Sequence, residues 1–290
     1  MANASVFVNF PSFSGVEFLE NHLGKIAEDG FDGTEFNLSS CPLIIGGEAS
    51  AEFVEYVKKA LEKYPLKYTG HIGTGLNLRN LEEYDLHKNV LKSSIDICGE
   101  LKMSVLTLHF EEASLNLREE KAFYDAHAQA AEYAKTKGVL LCIENIETEH
   151  HTKVVEMVRT MGHDNFRMTL DTGHLYLSAN YFGHSFEKAV EECAPYTAHL
   201  HLSDNTGKFE KMRLTNFTLY KTLPMGYRIT FGLGDIRLPP LWGKIDYDFV
   251  LRAIKSAGFT GIYVCEYENG LFVPFNGIIQ KRVRQAIENI

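Results

Sequence analysis

Short apolar, β-branched runs recur along the chain, each followed by a longer stretch whose apolar residues return with helical spacing. The runs are Ser5–Phe10, Gly33–Asn37, Lys67–His71, Ser104–His109, Val139–Glu144, Phe166–Asp171, Thr197–Leu202 and Gly261–Glu266. All but the last follow one another at the ~30-residue spacing of a strand–helix unit; the last interval is about double. Between and after them, amphipathic patterns predict helices over Val16–Asp29, Ala51–Tyr64, Tyr84–Leu101, Glu119–Lys137, Thr152–Met161, Phe186–Cys193, Tyr247–Ala257 and Ile278–Ile290. Gly30, Gly138, Gly162 and Gly258 stand where such helices should end. Eight strands alternating with eight helices imply an α/β chain folded as a single (β/α)8 barrel over 1–290. The irregular stretch Asn205–Lys244 reads as an insertion loop after strand 7, spanning about 205–245.

The rival architecture is a doubly wound open sheet, which usually carries a glycine-rich phosphate turn after its first strand. Here the first strand runs into Asn9-Phe10-Pro11-Ser12, and Gly232-Leu233-Gly234 alone is a weak signal. A length of 290 residues suits one barrel, which commonly takes roughly 250. The 29 basic and 38 acidic side chains leave a net charge of −9, which argues against a nucleic-acid partner. The longest strongly apolar run, Val139–Ile143, falls far short of the ~20 residues of a membrane span. No basic region precedes the first apolar stretch, so no signal peptide is expected. The five cysteines form no C-x-x-C pair, and Cys142 and Cys265 fall in apolar strands, which fits a reduced, cytoplasmic setting.

Polar residues at the C-terminal ends of barrel strands ring the mouth where chemistry occurs. Here those ends offer Glu35, His71, His109, Glu144, Asp171, His201 and Glu266, with His174 three residues past Asp171. Alternation puts Glu144 on the face of Cys142 and Glu266 on that of Val264, while Asp171 and His201 extend Thr169 and His199. His199, one layer deeper, reads as a hydrogen-bonded interior histidine. Three carboxylates in one mouth repel pairwise by about 3 kcal/mol at ~5 Å and an effective dielectric near 20. Protons or a cation must offset that. Three carboxylates and one imidazole suit a single divalent ion, Mn²⁺ favoured, with Mg²⁺, Co²⁺ or Zn²⁺ as alternatives. No G-x-S-x-G nucleophile elbow occurs, and no cysteine ends a strand beside a histidine. His150 and His151 open a helix and read as surface residues. Trp242 and the aromatics of 217–231 are expected to build the loop's own packing, or a lid or subunit contact.

The fragments LCIENIE (141–147), TLDTGH (169–174), HLHLSDN (199–205), GLGD (232–235) and YVCEYE (263–268), in that order, resemble the xylose isomerase-like barrels. That family includes sugar isomerases and epimerases and endonuclease IV. The resemblance implies Glu144, Asp171, His201 and Glu266 as metal ligands, with Glu144 and Glu266 also the proton-transfer pair and His174 a substrate contact. His71 and His109 match positions that bind an additional zinc in the endonuclease branch. That branch carries an Asp-x-His pair for a third metal, whereas this chain has Asp235-Ile236-Arg237.

The leading expectation is therefore a divalent-metal-dependent sugar isomerase or epimerase. One carboxylate removes the proton beside a carbonyl, a metal-stabilised enediolate forms, and a second carboxylate returns the proton. Its partner is a small-molecule sugar, bound by His174, His71, His109 and Arg237, with Lys208 as an alternative contact from the loop. His71 and His109 are also expected to approach the outer oxygen of Glu144. An endonuclease IV-like phosphodiesterase, a lyase on oxidised (keto) glycosides and a non-catalytic binding barrel are the alternatives. A homo-oligomer is the alternative role for the loop's aromatic surface.

Overall fold

The computed structural model describes residues 4–11, 18–73 and 75–290. Eight strands form the barrel: β1 (Ser5–Asn9), β2 (Gly33–Asn37), β3 (Lys67–Ile72), β4 (Val105–His109), β5 (Leu140–Glu144), β6 (Phe166–Asp171), β7 (Thr197–Leu202) and β8 (Ile262–Cys265). Each pairs in parallel with its sequence neighbours, and β8 pairs with β1 to close the ring. Every strand matches a predicted run to within one residue at either end. Parallel strands covered on both faces need continuous apolar stretches, which is why these runs were readable.

The register levels the strand ends. His109 lies opposite Glu144, Asn37 opposite His71, and Asp171 opposite His201. The last pairing depends on a bulge: Met168 faces Thr197 but Thr169 faces His199, so Ala198 is an extra residue in β7. Without it Ala198 and Leu200 would face Thr169 and Asp171, and both histidines would turn to the wrong side. Beneath the mouth, Thr107 Oγ1 meets Thr169 Oγ1 at 3.0 Å and His199 Nδ1 at 3.4 Å. His199 is thus the hydrogen-bonded interior histidine its position implied.

The helices wrap this barrel with one apolar face each. These are α1 (Leu19–Glu28), α2 (Ala51–Leu61), α3 (Tyr84–Glu100), α4 (Leu117–Thr136) and α5 (His151–Met161). Then come α6 (Thr172–Phe182) and α7 (Phe186–Cys193). The start of the first predicted helix, at 16–17, lies outside the described residues. Helix α6 has no counterpart among the predicted elements. It begins directly at Asp171, whose Oδ1 accepts the His174 N–H at 2.6 Å, and it ends at Gly183 with φ +75°. A left-handed cap of that kind suits glycine because it has no Cβ to clash.

The stretch between β7 and the next barrel helix is not irregular throughout. It holds three short helices, α8 (Met212–Thr215), α9 (Phe217–Thr222) and α10 (Met225–Phe231), before α11 (Tyr247–Ser256) resumes the barrel. Asp204 fastens its two ends together. The carboxylate accepts N–H groups from Asn205 and Gly243 at 2.8 Å each and from Ile245 at 3.2 Å. The Asp204 and Leu238 backbones also exchange hydrogen bonds. A Cβ on Gly243 would lie 2.2 Å from Asp204 Oδ1, so the clamp requires glycine there. Trp242 does not pack within this segment as expected. It lies edge-on to Phe272 and Phe275, in α12 (Asn269–Phe272) and the turn leading to α13 (Asn276–Glu288).

One further expectation needs correction. His150 and His151 do open α5, but His151 is only 3% exposed, because Glu192 of α7 and His184 after α6 close over it. All five cysteines are free and buried, each acting as a small apolar residue. Among the described residues no helix is long and apolar enough to cross a membrane.

Candidate active site

The four strand-end residues singled out in the sequence meet at the C-terminal mouth of the barrel. Glu144, Asp171, His201 and Glu266 each offer one ligand atom, and these atoms all lie within 4.8 Å of one another. His201 Nδ1 is the hub, 3.1 Å from Glu144 Oε1, 2.9 Å from Glu266 Oε2 and 3.9 Å from Asp171 Oδ2. Its other nitrogen faces Glu35 Oε1 at 2.9 Å. All five side chains are buried.

Asn145 sets the level of Asp171. Its side-chain amide donates to the Asp171 carbonyl and accepts the Asp171 N–H, both at 2.9 Å. This paired contact ties the ends of β5 and β6 together. His174, one turn into α6, brings Nδ1 to 3.0 Å from the Asn145 carbonyl and 3.6 Å from Glu144 Oε1. His71 and His109 approach the outer oxygen of Glu144, each Nε2 lying 3.3 Å from Oε2.

Arg237 reaches the same mouth from the long β7–α11 connection. Its guanidinium holds Glu266 Oε1 at 2.5 Å and Asp235 Oδ2 at 3.0 Å. The residue adopts a left-handed φ of +44°, a conformation costing about 1–2 kcal/mol outside glycine. Two ion pairs and the Glu268 N–H, donated to the Arg237 carbonyl at 2.9 Å, hold it there. Lys208, by contrast, is exposed, and its hydrogen bonds are main-chain ones within the connection. The connection sends Arg213 inward instead, 2.6 Å from Glu147.

The electrostatics diverge within the cluster. Burial disfavours every charge in it. The facing His201 and His109 nevertheless hold Glu144 well below the usual carboxylate range, and Arg237 and His201 do the same for Glu266. Asp171 goes the other way: burial and the Glu266 and Glu144 charges outweigh His174 and push it well above its ordinary value. Glu35 is held low by His201 and His199 despite burial. His201 and His174 overcome burial and rise well above the usual imidazole range through the carboxylates around them. One carboxylate is therefore left carrying the repulsion that a cation would relieve.

The unsatisfied atoms agree. Glu144 Oε2, Glu266 Oε2, His71 Nε2, His109 Nε2 and His201 Nε2 are all buried without a hydrogen-bond partner. Each such atom costs about 1–3 kcal/mol unless something else binds it. Oxygen and imidazole donors with unused lone pairs fit a divalent ion. Above them opens a polar cavity of about 130 Å³, bordered by Asn9, Glu35, Asn37, His71, His109, Arg237 and Glu266. A larger hollow of about 380 Å³ near Lys58 and Ser104 has no such cluster at its walls.

The family model of xylose isomerase-like TIM barrels matches residues 23–289. The chain belongs to this family. No curated protein matches it by sequence. Among solved structures it is similar to a D-tagatose 3-epimerase-like protein, with 19% identity, 98% of each chain covered and a TM-score of 0.71. It is also similar to a D-allulose 3-epimerase from Methylomonas sp., with 13% identity, 98% of each chain covered and a TM-score of 0.71. A 3-keto-D-glucoside 4-epimerase from E. coli follows at 13% identity and a TM-score of 0.68, covering 97% of this chain and 99% of the other. At such identities the likeness is one of fold.

The strand-end residues were legible before folding was known; several of their partners were not. Glu35 stands at a strand end, but no local pattern assigns it to the cluster. Glu147 follows Glu144 by three residues, and Asp235 precedes Arg237 by two. Both point at His174, with Nε2 4.0 Å from Glu147 Oε2 and 3.6 Å from Asp235 Oδ2. The available signal was their place in the family-like fragments, where charge recurs within one turn of an assigned residue.

Proposed function

We propose that this protein is a divalent-metal-dependent isomerase or epimerase acting on a small sugar. The observation carrying this reading is the convergence of three carboxylates and one imidazole within 4.8 Å, with buried lone pairs left over. Similarity to solved sugar epimerases supports it, as does family membership.

Glu144, Asp171, His201 and Glu266 would hold the ion, Mn²⁺ by preference for this oxygen-rich set. A divalent ion supplies Lewis-acid stabilisation of the negative charge that develops on neighbouring substrate oxygens. Glu35 Oε1, 2.9 Å from Nε2 of His201, would accept that nitrogen's hydrogen when an ion holds Nδ1; such outer carboxylates fix both tautomer and ring orientation. Glu144 and Glu266 are the proton-transfer pair. One carboxylate oxygen takes the proton beside the substrate carbonyl, and the other glutamate returns a proton to the carbon skeleton. Arg237 keeps Glu266 ionised and so able to accept. His174, His71, His109 and Arg237 present N–H donors to the substrate's hydroxyl and carbonyl oxygens, and the β7–α11 connection limits access of water.

His71 and His109 against Glu144 Oε2 favour one second reading, a phosphodiesterase with an additional zinc. Against it stands Arg237, whose fixed positive charge occupies the place where a third metal would need a histidine ligand. A lyase on keto-glycosides would use the same proton abstraction. A manganese-supplemented screen of keto-sugars, a 3-keto-glycoside and abasic-site DNA separates these readings. Epimerised or isomerised keto-sugar is the expected product. Strand cleavage without sugar turnover would overturn the proposal.

Metal binding is tested apart from turnover. Asp171→Asn keeps the side chain's size but removes a ligand charge, and Mn²⁺ affinity should fall at least tenfold, the lower end of what even outer-shell changes cause. Isothermal titration gives the value directly, and wild-type affinity in the variant would count against the ligand set.

A further inference from the structure

Three imidazoles that take no part in the mouth cluster converge where α5 begins and α6 has just ended. The His150 ring centroid lies 4.6 Å from His151 and 4.3 Å from His184, and His151 and His184 are 4.9 Å apart. One nitrogen from each ring falls within 4.8 Å of the other two. Their hydrogen bonding leaves this knot incomplete. His151 Nε2 lies 2.7 Å from Glu192 Oε2, and a carboxylate only accepts, so Nε2 carries the hydrogen and Nδ1 the lone pair. That Nδ1 is buried without a partner, and so are both ring nitrogens of His184. His150 Nδ1 accepts the Thr152 N–H at 3.3 Å and lies 2.8 Å from the Thr152 hydroxyl, so coordination through Nε2 requires the ring's hydrogen to sit on Nδ1 and be donated to that hydroxyl.

Ring stacking does not satisfy a buried nitrogen, whereas coordination does. We propose that His150, His151 and His184 bind a divalent transition-metal ion, of the zinc type, at a site separate from the barrel mouth. Three imidazoles with no carboxylate among them favour zinc, copper or nickel over manganese or magnesium. Three protein ligands also leave the fourth tetrahedral position for water. Glu192 stands as the outer carboxylate that orients the His151 ring. An ion here would tie the start of α5 to the end of α6, the helix that Asp171 caps.

The test uses untagged full-length protein and Zn²⁺ alone, with bound metal counted after equilibrium dialysis. An Asp171→Asn/Glu266→Gln background disables the mouth ligands. In that background one Zn²⁺ per chain should remain, and zinc should raise the melting temperature. Adding His184→Asn should remove both effects. His150→Gln, judged folded by circular dichroism, should remove them too and serves where His184→Asn does not fold. Zinc retained at the same stoichiometry in the folded histidine variants would overturn the site, as would no zinc bound in the background.

Discussion

Glutamine at position 144 or 266 should lower turnover by about 10²–10⁴-fold, the range that one well-placed acid–base group contributes. The substitution preserves shape and removes the one property the reaction needs, a carboxylate that can take up and release a proton. The two sites are not equivalent in their surroundings. Glu144 has one oxygen at His201 and the other at His71 and His109, whereas Glu266 is gripped by Arg237. Metal content must be measured beside turnover, because both residues also belong to the proposed ligand set. The decisive readout is exchange of the substrate's α-hydrogen with solvent. It should vanish in at least one variant, the one whose glutamate removes the proton. Full exchange in both metal-loaded variants would remove the two-glutamate mechanism.

A second large effect lies far from the chemistry, in the acid stability of the fold. His127 sits on the inner face of α4, 1% exposed, with Nδ1 donating to the Phe123 carbonyl at 2.7 Å. Its ring packs on Phe123 at 4.2 Å and near Phe166 at 5.9 Å. Burial is the main cause of a pKa pushed down to about 4 from 6.5. The unfolded chain therefore binds this proton first. The stability that His127 contributes is complete above pH 6.5 and is lost progressively as pH falls to 4. The loss over that window is about 3 kcal/mol at 1.36 kcal/mol per pKa unit. His127→Gln can still donate to Phe123 but cannot titrate. Urea denaturation at pH 7 and at pH 4.5 should show the wild type losing more stability than the variant, by most of that amount. Parallel losses in the two proteins would show that His127 protonates freely in the fold.

What could be read from the sequence was what local periodicity encodes. Strands buried on both faces are continuous apolar runs, and the polar residue that stops each run marks the barrel mouth, so Glu144, Asp171, His201 and Glu266 stood out together. Helix α6 was not legible because seven of its eleven residues are buried and two of the exposed ones, Tyr181 and Phe182, are aromatic, so no polar stripe marks its outer face. The helices α8 to α10 are too short for a period to emerge. Arg213 and Asp235 meet Glu147 and His174 only through the path of the long connection, which no local pattern specifies. The burial of His151 likewise depends on α7 and His184, distant in the chain.

The Asp204 clamp makes the 206–242 stretch an exchangeable cassette. Its ends are welded to the barrel by hydrogen bonds that involve none of its own helices. Between ends fixed in this way, each doubling of length adds only about 0.6 kcal/mol of closure entropy. Outside Asp235–Leu238, sequence and length there can drift while β7, and the histidine at its end, stay where they are. The barrel can thus change what it admits to its mouth without re-solving how to fold.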